Sequence, residues 1–399
     1  MQWILEEAKL LQEEVTAHRR WLHEHAEVGF QLHETKAYVK NALQKMGIEP
    51  QECGKAGLTA VLGKDTSGKT ILLRADMDAL PIPEESGLDF ACTNGNMHAC
   101  GHDLHTAMLL GAAGILKKHE AELPGRVKLM FQPAEETFEG SKDMIEQGIL
   151  ENPKPDAALM IHVTAATPMP SGMVVICPPG VTAPAADYFT ITVQGKGCHG
   201  SAPQNGIDAI TAAAHILLAL QEIQSRELPS SEDAVLTVGT FQGGTAPNVI
   251  ADSAKLAGTI RTYSEQTRAY LKDRMEAIST CVAQAYRASA QVTFGSGCPT
   301  LMNDRDLGAC MSRCLKGVLK SNMVLNAADL GRPMRGGGSE DFAYVSQEVP
   351  ALMLALAAGQ PEKGYVYPQH HPMVRFDESV LHIGVAVFVT GAFGFLSEK

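Results

Sequence analysis

The sequence predicts an α/β protein: a mixed-sheet domain sandwiched by helices, interrupted by a smaller α+β domain of ferredoxin-like order. Three observations lead there. Short β-rich runs alternate with helical periodicity up to Ile176, a pattern that calls for a sheet covered on both faces. After Pro178-Pro179-Gly180 the order becomes strand, helix, strand, strand, helix, strand. Beyond Gly297 the first pattern returns, so the outer domain is expected to be discontinuous, 1–183 with 298–399, around an insertion at 184–297. A chain of 399 residues also exceeds what one core usually fills.

Residues 2–24 and 34–46 carry apolar residues at helical spacing, with Gly47 as a stop signal. The strand candidates that follow are Leu58–Leu62, Thr70–Arg74, Val127–Phe131, Ala157–Ile161 and Met173–Ile176, with helical patterns at 105–118 and 140–148. In the insertion, strands are expected at Tyr188–Gln194, Ala234–Phe241, Ala254–Thr262 and Gln291–Phe294, and helices at Gly206–Ile223 and Glu265–Arg287. The outer domain resumes with a helix at Arg305–Lys320, a strand at Ala351–Leu356 and an apolar helix at Val380–Leu396. That last segment falls short of the roughly 20 residues a membrane span needs, and it reads as a buried helix closing the outer domain.

Composition narrows the function classes. A net charge of −12 with no Lys/Arg cluster argues against a nucleic-acid partner. Nine cysteines without regular spacing do not make a disulfide framework. The acidic, amphipathic start MQWILEEAKLLQEEV lacks the basic region of a signal peptide, so a cytoplasmic enzyme is expected, with no membrane partner.

The chemistry concentrates in Met97-His-Ala-Cys-Gly-His-Asp-Leu-His-Thr106, where three histidines, a cysteine and an aspartate sit within nine residues. Imidazole and thiolate are the donors that zinc and its neighbours prefer. Gly101 permits a sharp turn that lets Cys100 and His102 converge, and a thiolate can bridge two cations. Asp103 is expected to cap the following helix or to orient a ligand histidine, and His105 to sit in its first turn or donate to a ligand. Further candidates follow strands: Asp76 and Asp78, the pair Glu135-Glu136, His162, and the loop pair His370-His371. Of two adjacent carboxylates, one can bind a cation while the other stays free to take a proton from water. Donors gathered from such distant segments point to a metal hydrolase rather than a zinc finger.

Within the insertion, His199 ends a strand between glycines and could reach out to polarise a carbonyl. Arg261 offers a bidentate match to a carboxylate, and Asn248 a hydrogen bond to a carboxylate or amide. Gly337, in Gly336-Gly-Gly-Ser-Glu-Asp-Phe342, belongs to a glycine loop whose N–H groups suit an anion, with Ser339 expected to cap a helix.

Taken together, the chain resembles the two-metal amidohydrolases of the aminoacylase/carboxypeptidase-G2 superfamily, in the branch of hippurate hydrolases, N-acyl-amino-acid amidohydrolases and indole-3-acetyl-amino-acid hydrolases. The resemblance runs from Arg19-Arg-Trp-Leu-His23 through Arg74-Ala-Asp-Met-Asp-Ala-Leu-Pro81, Met97–Thr106, Gln132-Pro-Ala-Glu-Glu136, His199-Gly-Ser-Ala-Pro203, Ala246-Pro-Asn248 and Gly258-Thr-Ile-Arg261 to Gly337-Gly-Ser-Glu-Asp-Phe342. It implies two divalent cations bridged by Cys100, one completed by His102 and His162, the other by Glu136 and His370, the latter preferred because the motif has the form His-x-Pro. The thiolate favours zinc, while the resemblance leaves manganese, cobalt or nickel open. It further implies Glu135 as general base, Asp76 and Asp78 as supports, and Asn248 and Arg261 as holders of the substrate carboxylate. The insertion would act as a lid and a homodimerisation surface, with His199 acting within one subunit or across the pair. The implied reaction is hydrolysis of the amide of an N-acyl amino acid, with a dipeptidase or carboxypeptidase and an inactive binding homologue as alternatives. Ala26, the Thr164-Ala-Ala-Thr-Pro stretch and Tyr367-Pro-Gln-His-His-Pro depart from the branch's usual pattern, while every implied ligand is present.

Overall fold

The computed structural model describes residues 1–63, 68–330 and 338–398. The chain divides into two compact units, Met1–Thr182 with Met302–Met334 and Asp341–Lys399, and Ala183–Leu301 with Arg335–Glu340.

The first unit begins with helices α1 (Gln2–Leu10), α2 (Gln12–Glu24) and α3 (His33–Lys45) and strands β1 (Gln51–Cys53), β2 (Gly57–Leu62) and β3 (Thr70–Asp76). It continues with α4 (His102–Lys118), β4 (Arg126–Gln132), α5 (Gly140–Glu146), β5 (Ala157–Thr164) and β6 (Val174–Ile176). The helical stretch expected over 2–24 is broken at Leu11, and the break lets α1 lie on the C-terminal helix while α2 lies on α4.

The second unit carries β7 (Ala185–Gln194), α6 (Ala209–Glu222), β8 (Ala234–Gly243), β9 (Ser253–Thr262), α7 (Glu265–Ala285) and β10 (Ser289–Cys298). Its four strands form one antiparallel sheet in the order β8-β9-β7-β10. Alternation along β7 turns Phe189, Ile191 and Val193 toward Ile216 and Leu220 of α6 and Leu271 and Met275 of α7. Asp208 and Ser264 cap the two helices, each accepting backbone N–H bonds of the first turn.

The first unit resumes with α8 (Arg305–Lys316), β11 (Val324–Asn326), α9 (Ala343–Glu348), β12 (Ala351–Ala357) and α10 (Leu381–Ser397). Its mixed sheet runs β1-β2-β4-β3-β5-β12-β6-β11. The central strands β4, β3, β5 and β12 are mutually parallel, and every residue of β3 is buried, as a strand covered on both faces requires. Parallel strands end on the same side, where α/β sheets place their sites. Helix α4 is buried from His102 to Ala113, with Gly111 against Val15 of α2 and Val385 of α10. The helical stretch Glu378–Ser397, which ends in α10 and is longer than the expected Val380–Leu396, does reach the length and apolarity of a membrane span, contrary to the expectation that it falls short, and most of it is buried in this core.

Candidate metal centre

The sharpest local feature is the entry to α4. Gly101 is its first, capping residue, in the left-handed region at φ 92°. A Cβ there would lie 2.5 Å from Val163 Cγ2 and 3.1 Å from the Phe376 ring, so only glycine fits between Cys100 and His102. Asp103 does not cap the helix. Its Oδ2 is drawn instead to Arg19 Nε at 2.8 Å and His23 Nδ1 at 2.9 Å, both on α2. Helix α4 also starts three residues before the expected 105, because the polar His102-Asp103 pair masks the apolar period.

Donor atoms from four segments meet beyond the carboxyl ends of the parallel strands. Those of Cys100, His102 and His162 lie within 4.8 Å of one another, as do those of Cys100, Glu136 and His370. Cys100 is common to both sets. Its Sγ stands 3.6 Å from His162 Nε2, and His370 Nε2 stands 3.5 Å from Glu136 Oε1. His102 donates from Nδ1 to the Asp78 carbonyl at 2.9 Å and His162 from Nδ1 to the Val163 carbonyl at 2.7 Å. Each ring is thereby held with Nε2 facing the cluster. Glu135 Oε2 reaches to 3.9 Å from His102 Nε2, while Glu135 Oε1 accepts the Asp341 N–H at 3.3 Å.

The donor set fits divalent cations. His102 Nε2 and Glu136 Oε1 are buried without a hydrogen-bond partner. Burial pushes the Cys100 thiol up to about 12 and the Glu136 carboxyl up to about 7, so a neighbouring positive charge is what would hold both as anions. Burial pushes His162 down to about 3, which keeps its imidazole neutral, the form that ligates.

The surroundings support this arrangement. Asp78 accepts the backbone N–H groups of Glu135 and Glu136 at 3.0 and 3.1 Å and so fixes the turn carrying both carboxylates. Ala134 and Phe138, which bracket that turn, both have positive φ, 53° and 57°. Asp76 accepts from Arg74 at 2.6 Å and lies 2.6 Å from His105 Nδ1, while His105 Nε2 accepts the Val163 N–H at 2.9 Å. Both nitrogens of His105 are thus engaged, and His105 acts as a brace.

His98 is buried with neither ring nitrogen partnered, outside both donor sets. His371 Nδ1 accepts the Met373 N–H and its ring stacks on Tyr367. The sequence offered no sign that Val163, through its backbone alone, serves both His105 and His162. Nor did it show Gln369, whose Nε2 also donates to the Val163 carbonyl, at 2.9 Å.

The remaining site candidates belong to the second unit. His199 is exposed, pairs across a short ladder with Val249, and accepts the Ser201 N–H on Nδ1 at 3.2 Å. Asn248 is its neighbour, its carbonyl accepting the Gly200 N–H at 2.8 Å. Arg261, on β9, donates from Nη1 to Ser339 Oγ at 2.7 Å. Ser339 therefore does not cap a helix, and α9 begins only at Ala343. Gly337 lies outside the described residues.

Comparison with known proteins identifies the family. Residues 72–392 match the family described as peptidase family M20/M25/M40. An N-acetyl-L-cysteine deacetylase of Bacillus subtilis is 35% identical over 93% of this chain and 85% of its own. An IAA-amino acid hydrolase of Arabidopsis thaliana is 35% identical over 96% of this chain and 85% of its own. The crystal structure of a Bacillus subtilis protein described as a dinuclear metal-binding peptidase of the M20 family superposes with a TM-score of 0.78. It shares 31% identity and covers 98% of this chain and 100% of that one. With the family pattern matched across most of its length, the chain belongs to peptidase family M20/M25/M40.

Proposed function

We propose that this protein hydrolyses the amide bond of N-acyl amino acids, releasing a carboxylic acid and a free amino acid, at a pair of divalent cations. Membership of the family makes it a metal-dependent amide hydrolase. The observation that carries the reading is the pair of donor sets sharing Cys100, with Glu135 beside them and in neither. Cys100, His102 and His162 would hold one ion; Cys100, Glu136 and His370 the other. When bound, the ions polarise the scissile carbonyl and make water acidic enough to deprotonate near neutrality. The thiolate favours zinc, and the choice among zinc, manganese, cobalt and nickel is one for metal analysis.

In this reading Glu135 takes the proton from the attacking water and passes it to the leaving nitrogen. His199 of the second unit donates to the oxygen on which charge builds. Supporting this, its Nδ1 accepts the Ser201 N–H, so the neutral ring carries its proton on Nε2. Arg261 and Asn248 would hold the substrate's carboxylate. The second unit would serve as lid and as the surface joining two copies. Its edge strand β8 leaves Val235 53% and Phe241 41% exposed. We place the enzyme in the cytoplasm, where its nine free thiols stay reduced.

The test is a panel of N-acetyl amino acids, N-benzoyl amino acids and dipeptides, assayed for released amine with metal-loaded protein. Turnover of N-acyl substrates supports the reading. Activity confined to substrates with a free α-amine would make the protein a dipeptidase instead.

A further inference from the structure

We propose that Gln369 is the positioning residue that loads the Glu136/His370 side of the metal centre, an inference that rests on the two-cation reading above. His370 occupies the left-handed region at φ 64°, a backbone state that a β-substituted residue keeps only when its surroundings hold it there. Its side chain is 54% exposed, so burial is not what fixes it. Two hydrogen bonds are available for that task. The His370 N–H donates to the Ala99 carbonyl at 3.0 Å, one residue before Cys100. The Gln369 side-chain amide donates to the Val163 carbonyl at 2.9 Å, one residue after His162.

These two bonds stitch the His370 loop to the segments carrying the other donors. The Val163 carbonyl is the same one that receives His162 Nδ1–H. Gln369 therefore clamps the loop to the atom that orients a ligand of the other cation. Of the two anchors, it is the only one supplied by a side chain, hence the only one a point substitution removes. Removing it frees His370 to leave the left-handed state, withdrawing its Nε2 from Glu136. The segment before Cys100 and the bonds orienting His102 and His162 from their Nδ1 atoms are untouched.

The experiment is a cobalt(II) titration of metal-free protein by calorimetry, comparing wild type with Gln369→Met, Gln369→Asn and His370→Ala. Met keeps the length and loses the donor; Asn keeps an amide one methylene short of the carbonyl. Wild type is expected to take up two ions. In Gln369→Met one binding constant should fall by about 10- to 100-fold, the usual cost of removing a partner that orients a ligand. The other constant should be unchanged, circular dichroism and melting of the metal-free protein should match wild type, and Gln369→Asn should follow Met. The constant that falls should be the one His370→Ala abolishes. Two unchanged constants in Gln369→Met, a parallel fall in both, or wild-type behaviour of Gln369→Asn would each overturn the role of Gln369. Fewer than two ions in wild type would overturn the two-cation reading itself.

Discussion

Replacing His23 by Leu tests the buried charge network that anchors α4. His23 is 1% exposed, and both ring nitrogens face carboxylates: Nδ1 to Asp103 Oδ2 at 2.9 Å and Nε2 to Glu84 Oε1 at 3.0 Å. Two acceptors require two donors, so the ring is an imidazolium. Burial alone would push its pKa down, but the bonds to Asp103 and Glu84 outweigh that and raise it above the ordinary value. In the Leu variant Asp103 keeps Arg19, while Glu84, equally buried, keeps only the Ser86 hydroxyl and the Cys92 N–H. Breaking such a pair costs about 3–5 kcal/mol, because the carboxylate left behind stays buried without its counter-charge. Urea unfolding at pH 6 should show a loss of that size, and Glu84→Gln in the same background should recover part of it. The pH dependence has a definite sign. Since folding raises the His23 pKa, its stabilisation is full below the ordinary histidine value and is lost as pH rises through the folded value. The gap between wild type and variant should therefore shrink in alkaline buffer. A loss below about 1 kcal/mol at pH 6, or a gap that widens with pH, would refute a buried imidazolium.

Other substitutions probe the centre and its frame. Glu135→Gln should abolish turnover while metal content by elemental analysis stays at wild-type level; retained turnover would remove Glu135 as the base. Asp78→Asn, which sets an amide N–H against the Glu135 or Glu136 N–H, should weaken metal binding about 10- to 100-fold in chelator competition. Gly111→Ala would bring a Cβ to 2.7 Å from Val15 Cγ2 and 2.8 Å from Val385 Cγ2, both stiff side chains. It should destabilise by about 1–3 kcal/mol by denaturant midpoint. A strong chelator should silence the enzyme, and adding back Zn²⁺ or Mn²⁺ should restore it; activity that survives chelation would count against a metal route.

Much of the fold and the candidate centre was legible in the sequence because the informative residues are local signals. The stretches Ile71–Leu73 of β3 and Ala157–Ile161 of β5 are unbroken apolar runs, as parallel central strands must be, β4 is broken by Lys128 alone between Val127 and Phe131, and the carboxylates and histidines that matter lie at or just beyond the strand ends. The short strands β1 (Gln-Glu-Cys) and β11 (Val-Leu-Asn) escaped, since three residues carry no usable period and, unlike the all-apolar β6, both contain polar residues. Asp103 and Ser339 were misread as caps for one reason. A local rule places such side chains on their own helix, whereas Arg19 and Arg261, distant in sequence, compete for them and win. Gln369 was invisible because its partner is a backbone carbonyl, which every residue possesses.

The order of strands across the large sheet also bears on biogenesis. Strand β12 lies between β5 and β6, yet it follows both in the chain, with the whole second unit in between. At about 5–20 residues per second of synthesis, roughly 10–40 s separate the emergence of β5 from that of its neighbour. During that interval β5 presents an open apolar edge, while the second unit can already complete its own core. The nascent chain thus passes through a stage in which one unit is mature and the other is adhesive, a window in which holding chaperones would decide the yield.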